Sequence, residues 1–97
     1  SIASRVANSR TATVAVTSFT FKEPVWVGDV VSFYATVLKV GTTSITVDVT
    51  VFAERLHKDN HRIVKVTEAQ LVFVALNKDG RPQPVYRADN PAPEKTE

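Results

Sequence analysis

The most constraining feature of this chain is the alternation between Ser44 and Glu54. Ile45, Val47, Val49, Val51 and Ala53 take every second position, with Ser44, Thr46, Asp48, Thr50 and Glu54 between them. Only Phe52 interrupts the polar set. Successive side chains of an extended strand point to opposite faces, so this is a strand with one buried and one wet face. Burying Ile45, Val47, Val49 and Val51 involves roughly 6–12 kcal/mol, at roughly 1.5–3 kcal/mol each. The whole stability of a small domain is about 5–15 kcal/mol. That face requires a cover.

Three more stretches, 11–21, 30–40 and 62–76, are rich in β-branched and aromatic residues and read as strands beside the alternating one at 44–55. Pro24 and Gly28-Asp29 separate the first two strands, Gly41-Thr42-Thr43 forms the next turn, and Lys58-Asp59-Asn60-His61 the third. Connections this short predict an antiparallel meander, because parallel pairing needs a crossover of about a dozen residues or more. In the last strand Ala69, Leu71, Phe73 and Ala75 alternate with Val72, Val74 and Leu76. Apolar residues on both faces predict a central place in the sheet or an interface. The phase of this strand shifts near Thr67-Glu68, where a bulge is expected.

Ahead of the strands, Ile2, Ala3, Val6 and Ala7 share one face of a short helix within residues 1–10, ended by Asn8-Ser9. So short a helix cannot cover a sheet of this size. The expected cover is a longer helix upstream, a second chain, or both. The chain contains no Met and opens on Ser1-Ile2-Ala3, so it is expected to be processed or to begin partway through a longer protein. Pro82, Pro84, Pro91 and Pro93 mark the remainder as extended. The fold class is α+β.

At 97 residues the chain holds one domain. Its net charge of +2, from 12 Lys+Arg against 10 Asp+Glu, is too small for a nucleic-acid footprint. With zero Cys there is no disulfide framework, thiol nucleophile or Cys-ligated metal. No signal peptide is evident, and no apolar run approaches the ~18 residues of a membrane span. The expectation is a cytoplasmic protein with no nucleic-acid or membrane partner.

Four segments then point to a family. Lys22-Glu23-Pro24-Val25-Trp26-Val27-Gly28-Asp29-Val30-Val31 resembles the proline and Val-Gly-Asp turn of hotdog-fold acyl-CoA thioesterases of the YciA type. Ala12-Thr13-Val14-Ala15-Val16 is similar to their first strand after the central helix, and Lys39-Val40-Gly41-Thr42-Thr43-Ser44-Ile45 to their next turn. Val66-Thr67-Glu68-Ala69, Val72-Phe73-Val74-Ala75-Leu76 and Asp79-Gly80-Arg81-Pro82 resemble the closing strand and tail. The match runs from Ser4 to Val85.

The resemblance implies a hotdog domain over residues 1–85, with a curved antiparallel sheet around a central helix, and an extended, flexible tail over 86–97. It implies hydrolysis of acyl-CoA thioesters to free CoA and a carboxylic acid. The partners it implies are the acyl-CoA substrate and a second copy paired edge to edge in a homodimer, with dimers assembling as a trimer of dimers. No cofactor is implied beyond coenzyme A as part of the substrate. The acyl-pantetheine arm lies at the dimer interface beside the central helix. In the family the catalytic carboxylate sits in a glycine-rich loop leading into that helix. No position here matches it, so the resemblance implies the C-terminal portion of the domain and assigns no catalytic residue.

Binding positions carry over. Val14, Ala15 and Val16 match a segment whose backbone accompanies the pantetheine, and Thr43, Ser44 and Ile45 match the second CoA-contacting segment. Lys39 and Arg81 are candidates to neutralise the nucleotide phosphates, and Phe21, just before the resembling turn, is the candidate acyl-pocket residue. Thr17 stands where several relatives carry an acid. The alternatives are a non-catalytic hotdog module that binds an acyl-CoA or nucleotide ligand, and a structural oligomerisation domain.

Other constellations are weaker. Glu68 falls inside the last strand, where partial desolvation would raise its pKa and suit it to general-base work. His57 and His61 have a zinc-ligand spacing for a helix, yet they flank a hairpin turn and lack a third ligand, so no metal is expected. Arg55, His57, Lys58, His61, Arg62 and Lys65 form a basic group at one sheet end, a solvated tip or a polyanion site. Asp29 is expected to serve its own turn. Without Gly-x-Ser-x-Gly, serine-hydrolase chemistry is not expected.

Overall fold

A computed structural model describes residues 1–95, the side chain of His57 excepted. Helix α1 spans Ile2–Ala7. Ser1 Oγ accepts the Ser4 N–H at 3.2 Å, which caps its start. Its end is a left-handed Asn8 (φ 49°), with the Asn8 N–H donating to Arg5 O and the Ser9 N–H to Ser4 O, each at 3.3 Å. That is the Schellman arrangement, and Asn tolerates the left-handed conformation better than most residues. A helix of this length does not persist alone. Packing holds it: Ala3 and Ala7 are fully buried against Ile45, Val47, Ala75 and Val85.

Strands β1 (Thr11–Phe21), β2 (Val30–Val40), β3 (Ser44–His57) and β4 (Asn60–Ala75) make one antiparallel sheet in the order β1-β4-β3-β2. The meander expectation therefore needs correcting. It holds for β2, β3 and β4, but β1 pairs with β4 on the far side, from Thr11 opposite Ala75 to Phe21 opposite Thr67. Two physical reasons favour this order. β4 is apolar on both faces and belongs inside the sheet. The link 22–29 can span roughly 26 Å when extended, ample for the roughly 14 Å of three strand spacings.

The expected bulge in β4 lies at Val66, where Thr67 faces Val51 but Lys65 faces Phe52. The extra residue turns Val64 and Val66 toward the face of Ala53, and the three are buried together. A Cβ at Gly41 would lie 2.8 Å from Ser44 Oγ, so a side chain there would require the Ser44 hydroxyl to turn away.

Part of the cover for Ile45 and Val47 comes from an unexpected place. Val85 is fully buried beside α1, its N–H donating to Thr42 O at 2.8 Å, and Gln83 N–H donates to Ala75 O at 2.9 Å. The first residues of the expected extended tail follow this path and are hydrogen-bonded to α1 as far as Asn90. The edge strands β1 and β2 keep Phe19, Phe21, Phe33 and Tyr34 exposed.

Candidate functional site

β1 is an edge strand, so one row of its backbone groups lacks a partner in the sheet. Its pairing with β4 is also broken twice, between Thr13 and Ala15 and between Val16 and Ser18. Val14 and Thr17 are the extra residues, so one break falls within the segment matched to pantetheine and the other just past it. A bulge leaves its extra residue outside the ladder, so donors and acceptors concentrate at Val14–Thr17, where Val14 and Val16 are more than half exposed. An extended ligand with amide groups can pair with such a row. Thr17 turns its hydroxyl back to Gln70, donating to the backbone oxygen at 3.4 Å.

The turn after β2 stands at the near end of the same sheet. Ser44 and Ala12 both lie opposite Val74, so only β4 separates this turn from β1, a lateral distance of roughly 10 Å. Thr43 O accepts the Ala75 N–H at 2.9 Å and Gly41 N–H donates to Ser44 O at 2.8 Å. Those carbonyls are engaged within the fold, whereas Thr43 and Ser44 are only half-buried as residues. Ile45 differs: its side chain is fully buried in the core.

Lys39 is exposed on β2, just past a register break at Leu38. Arg81 is exposed in a turn organised by Asn77, whose side-chain oxygen accepts the Asp79 and Arg81 N–H groups at 2.9 and 3.0 Å. Both stand toward the sheet end that carries the Thr43–Ser44 turn. Phe21 is 62% exposed at the opposite end of β1, roughly 20 Å along the strand from Ala15. The fold therefore groups the CoA-matched positions and sets the acyl-pocket candidate apart.

The two acids singled out in the sequence, Asp29 and Glu68, are both engaged. Asp29 does serve its turn, accepting the Trp26 N–H at 2.8 Å, but its larger role is with Arg55. Arg55 Nη2 lies 2.9 Å from Asp29 Oδ2 and also donates to Pro24 O at 2.9 Å. The guanidinium stacks over the Trp26 ring at 3.7 Å. Hydrogen bonds from Arg55, then from the Trp26 N–H, hold the Asp29 carboxyl below its ordinary pKa, and the same pairing raises that of Arg55. Arg55 is thus withdrawn from the basic group at the hairpin tip, and the remaining described members are exposed, Lys58 in the turn and His61, Arg62 and Lys65 along β4.

Glu68 departs from expectation. Lys65 Nζ donates to it at 2.6 Å and Lys22 stands 3.9 Å away. The Lys65 hydrogen bond, aided by both lysine charges, holds the Glu68 pKa down rather than raising it. A carboxylate so stabilised is a poor proton acceptor. His61 pairs with Glu54. Among the described residues no group of three or more His, Cys, Asp or Glu could hold a metal ion, and no helix is long and apolar enough to cross a membrane. The His57 side chain lies outside the described residues.

The sequence profile of the thioesterase superfamily matches residues 1–59. The chain belongs to that superfamily. Over 85 residues this thioesterase-superfamily chain is 40% identical to the acyl-CoA thioester hydrolase YciA of Salmonella typhimurium, covering 87% of itself and 64% of that protein. Its backbone matches a hexameric hotdog fold thioesterase of Campylobacter jejuni with a TM-score of 0.80 and 36% identity, over 86% of this chain and 63% of the other. A hexameric thioesterase from Yersinia pestis matches with a TM-score of 0.79 and 36% identity, over 86% and 67%. The superfamily member described here has the α+β hotdog-like fold, and it spans less than two thirds of the Salmonella relative's length.

Sequence reasoning missed two features of this superfamily member. Arg55 was grouped with exposed basic residues because its strand position reveals no partner; the odd phase it shares with Ala53 was the available signal. The double bulge in β1 had none, since Val14-Ala15-Val16-Thr17 reads as regular strand.

Proposed function

We propose that the complete protein hydrolyses acyl-CoA thioesters to free CoA and a carboxylic acid, and that this chain supplies the CoA groove. The observation that carries the reading is the double bulge at Val14–Thr17 beside the Thr43–Ser44 turn, in a chain whose superfamily and relatives are thioesterases. The pantetheine lies along β1, hydrogen-bonded to its free backbone groups, with the phosphates toward Lys39 and Arg81. Phe21 contributes to the acyl wall of a site completed by a second copy.

The chemical step is attack of water on the thioester carbonyl, assisted by a carboxylate, with a backbone N–H polarising the carbonyl. Asp29, Glu54, Glu68 and Asp89 each hold a cationic or imidazole partner. Because no position here matches the loop that carries the family's carboxylate, that group is proposed to lie outside residues 1–97, with the longer central helix around which the sheet curves. Two copies pair along a sheet edge, and three such dimers assemble, in keeping with the hexameric relatives. The exposed aromatic residues of β1 and β2 favour such burial.

Thiol release from a series of acyl-CoAs tests this. The complete protein is expected to release CoA, while the 97-residue chain, folded, binds CoA without turnover. Rapid release by the short chain would place the carboxylate within it. Binding without turnover by the complete protein would favour the non-catalytic module. Glu68→Gln in the complete protein is expected to leave kcat and the pH–rate profile unchanged; loss of the acid limb of that profile, where a general base is protonated, would return Glu68 to the mechanism.

A further inference from the structure

The end of α1 is held by side chains from the far end of the chain. Arg87 Nη2 donates to Ala7 O at 3.0 Å, and its Nη1 to Pro84 O at 2.7 Å and Val85 O at 3.1 Å. Asn90 Nδ2 donates to Val6 O at 3.0 Å, Ala7 O at 3.2 Å and Val85 O at 2.6 Å. The last carbonyls of a helix lack intrahelical partners, and the Schellman bonds here serve only Ser4 and Arg5. Arg87 and Asn90 serve the next two, with a cation placed at the negative end of the helix dipole.

The two residues also bind one another, Arg87 N–H to Asn90 O at 2.9 Å and Asn90 N–H to Arg87 O at 3.0 Å. From them the path runs to Val85, fully buried, whose N–H reaches Thr42 O. Residues 82–90 therefore form a strap that joins the end of α1 to the turn preceding Ser44. Because α1 is too short to hold its place unaided, the strap adds to its packing on β3 and β4 and ties it to the turn.

We propose that Arg87 and Asn90 are positioning residues, clipping the strap to α1 and thereby holding the Thr42–Ser44 turn in the geometry that receives CoA. This rests on the reading of that turn as a CoA contact, and neither residue need touch the ligand.

Hydrogen exchange and equilibrium titration with CoA, both on the full chain, test it. In Arg87→Ala and Asn90→Ala, amide protection of α1 and of Val85 is expected to fall about tenfold or more, and CoA affinity several-fold. Arg87→Lys keeps the charge without the planar fork and should recover only part of both. Should Arg87→Ala fail to fold, Asn90→Ala and Arg87→Lys carry the test. Unchanged protection in α1 and at Val85 would overturn the clip. Lost protection with undiminished CoA affinity would overturn its link to the site. A wild-type chain that binds no CoA would instead remove the reading on which the proposal stands, and the proposal with it.

Discussion

Replacing Ile45 by alanine is expected to destabilise the domain by about 2–5 kcal/mol, the range for truncating a buried aliphatic side chain. Ile45 is fully buried where α1, β3 and the strap meet, against Ala3, Ala7, Val47, Ala75 and Val85. Its fully buried neighbours are alanines and valines, whose short side chains fill little of the space left. Urea titration should show a lower midpoint with an unchanged m-value. Ile45→Val removes one methyl group and should cost only about 0.5–1.5 kcal/mol. A loss from Ile45→Ala no larger than that would mean that α1 and the strap do not close over Ile45 in solution.

The second large effect is expected at Asp29. In Asp29→Asn the Arg55 guanidinium, 7% exposed, loses its charged partner while still held under Trp26 and Pro24. Breaking one side of a buried ion pair is far more damaging than the pair is stabilising, because a desolvated charge remains. The melting temperature should fall further than for Glu68→Gln, whose carboxylate is 39% exposed and solvated.

The pH dependence has a definite sign. The folded-state pKa of Asp29 is depressed, so its contribution is fully present above the unfolded value, about 3.9. It is lost as pH falls through the lower folded value. Wild type and Asp29→Asn should therefore differ most near neutral pH and converge below about pH 4. Added salt should change the difference little, since both groups are shielded from solvent. Asp29→Asn combined with Arg55→Met should cost less than the sum of the two single changes, as expected for contacting partners. Additive costs, or a difference that persists at low pH, would mean that the two charges are not coupled in the folded state.

Much of the fold was legible because its information is local. The alternation at Ile45–Ala53 requires only that a strand have two faces, and Ile45, Val47 and Ala53 are buried on the predicted one. The ends of β1 and β2 follow from Pro24 and Gly28-Asp29, and that of α1 from Asn8, because each involves backbone conformations few residues adopt. The apolar double face of β4 announced an interior strand. Which strand would take its open side was not stated by any residue; pairing with β1 depends on how a link of residues 22–29 crosses the sheet end.

Most of the candidate site is nonlocal. Resemblance brought Val14–Val16 and Thr43–Ile45 forward, yet it did not distinguish a fully buried Ile45 from half-buried Thr43 and Ser44. Glu68 looked like a carboxylate inside an apolar strand, and only the fold shows Lys65 and Lys22 beside it. Arg87 and Asn90 stand among prolines and charges typical of a loose tail, and their partners Val6 and Ala7 lie at the other end of the chain.

By itself the sequence determined which segments are strands, which face of β3 is buried, and to what family the chain is similar, because periodicity, turn chemistry and motif order act over a few neighbouring residues. The tertiary structure alone decided the strand order, the bulges that free the β1 backbone, the cationic partners of Asp29 and Glu68, and the strap over α1. Those depend on free-energy differences between groups far apart in the chain, and such differences exist only once folding has brought the groups into contact.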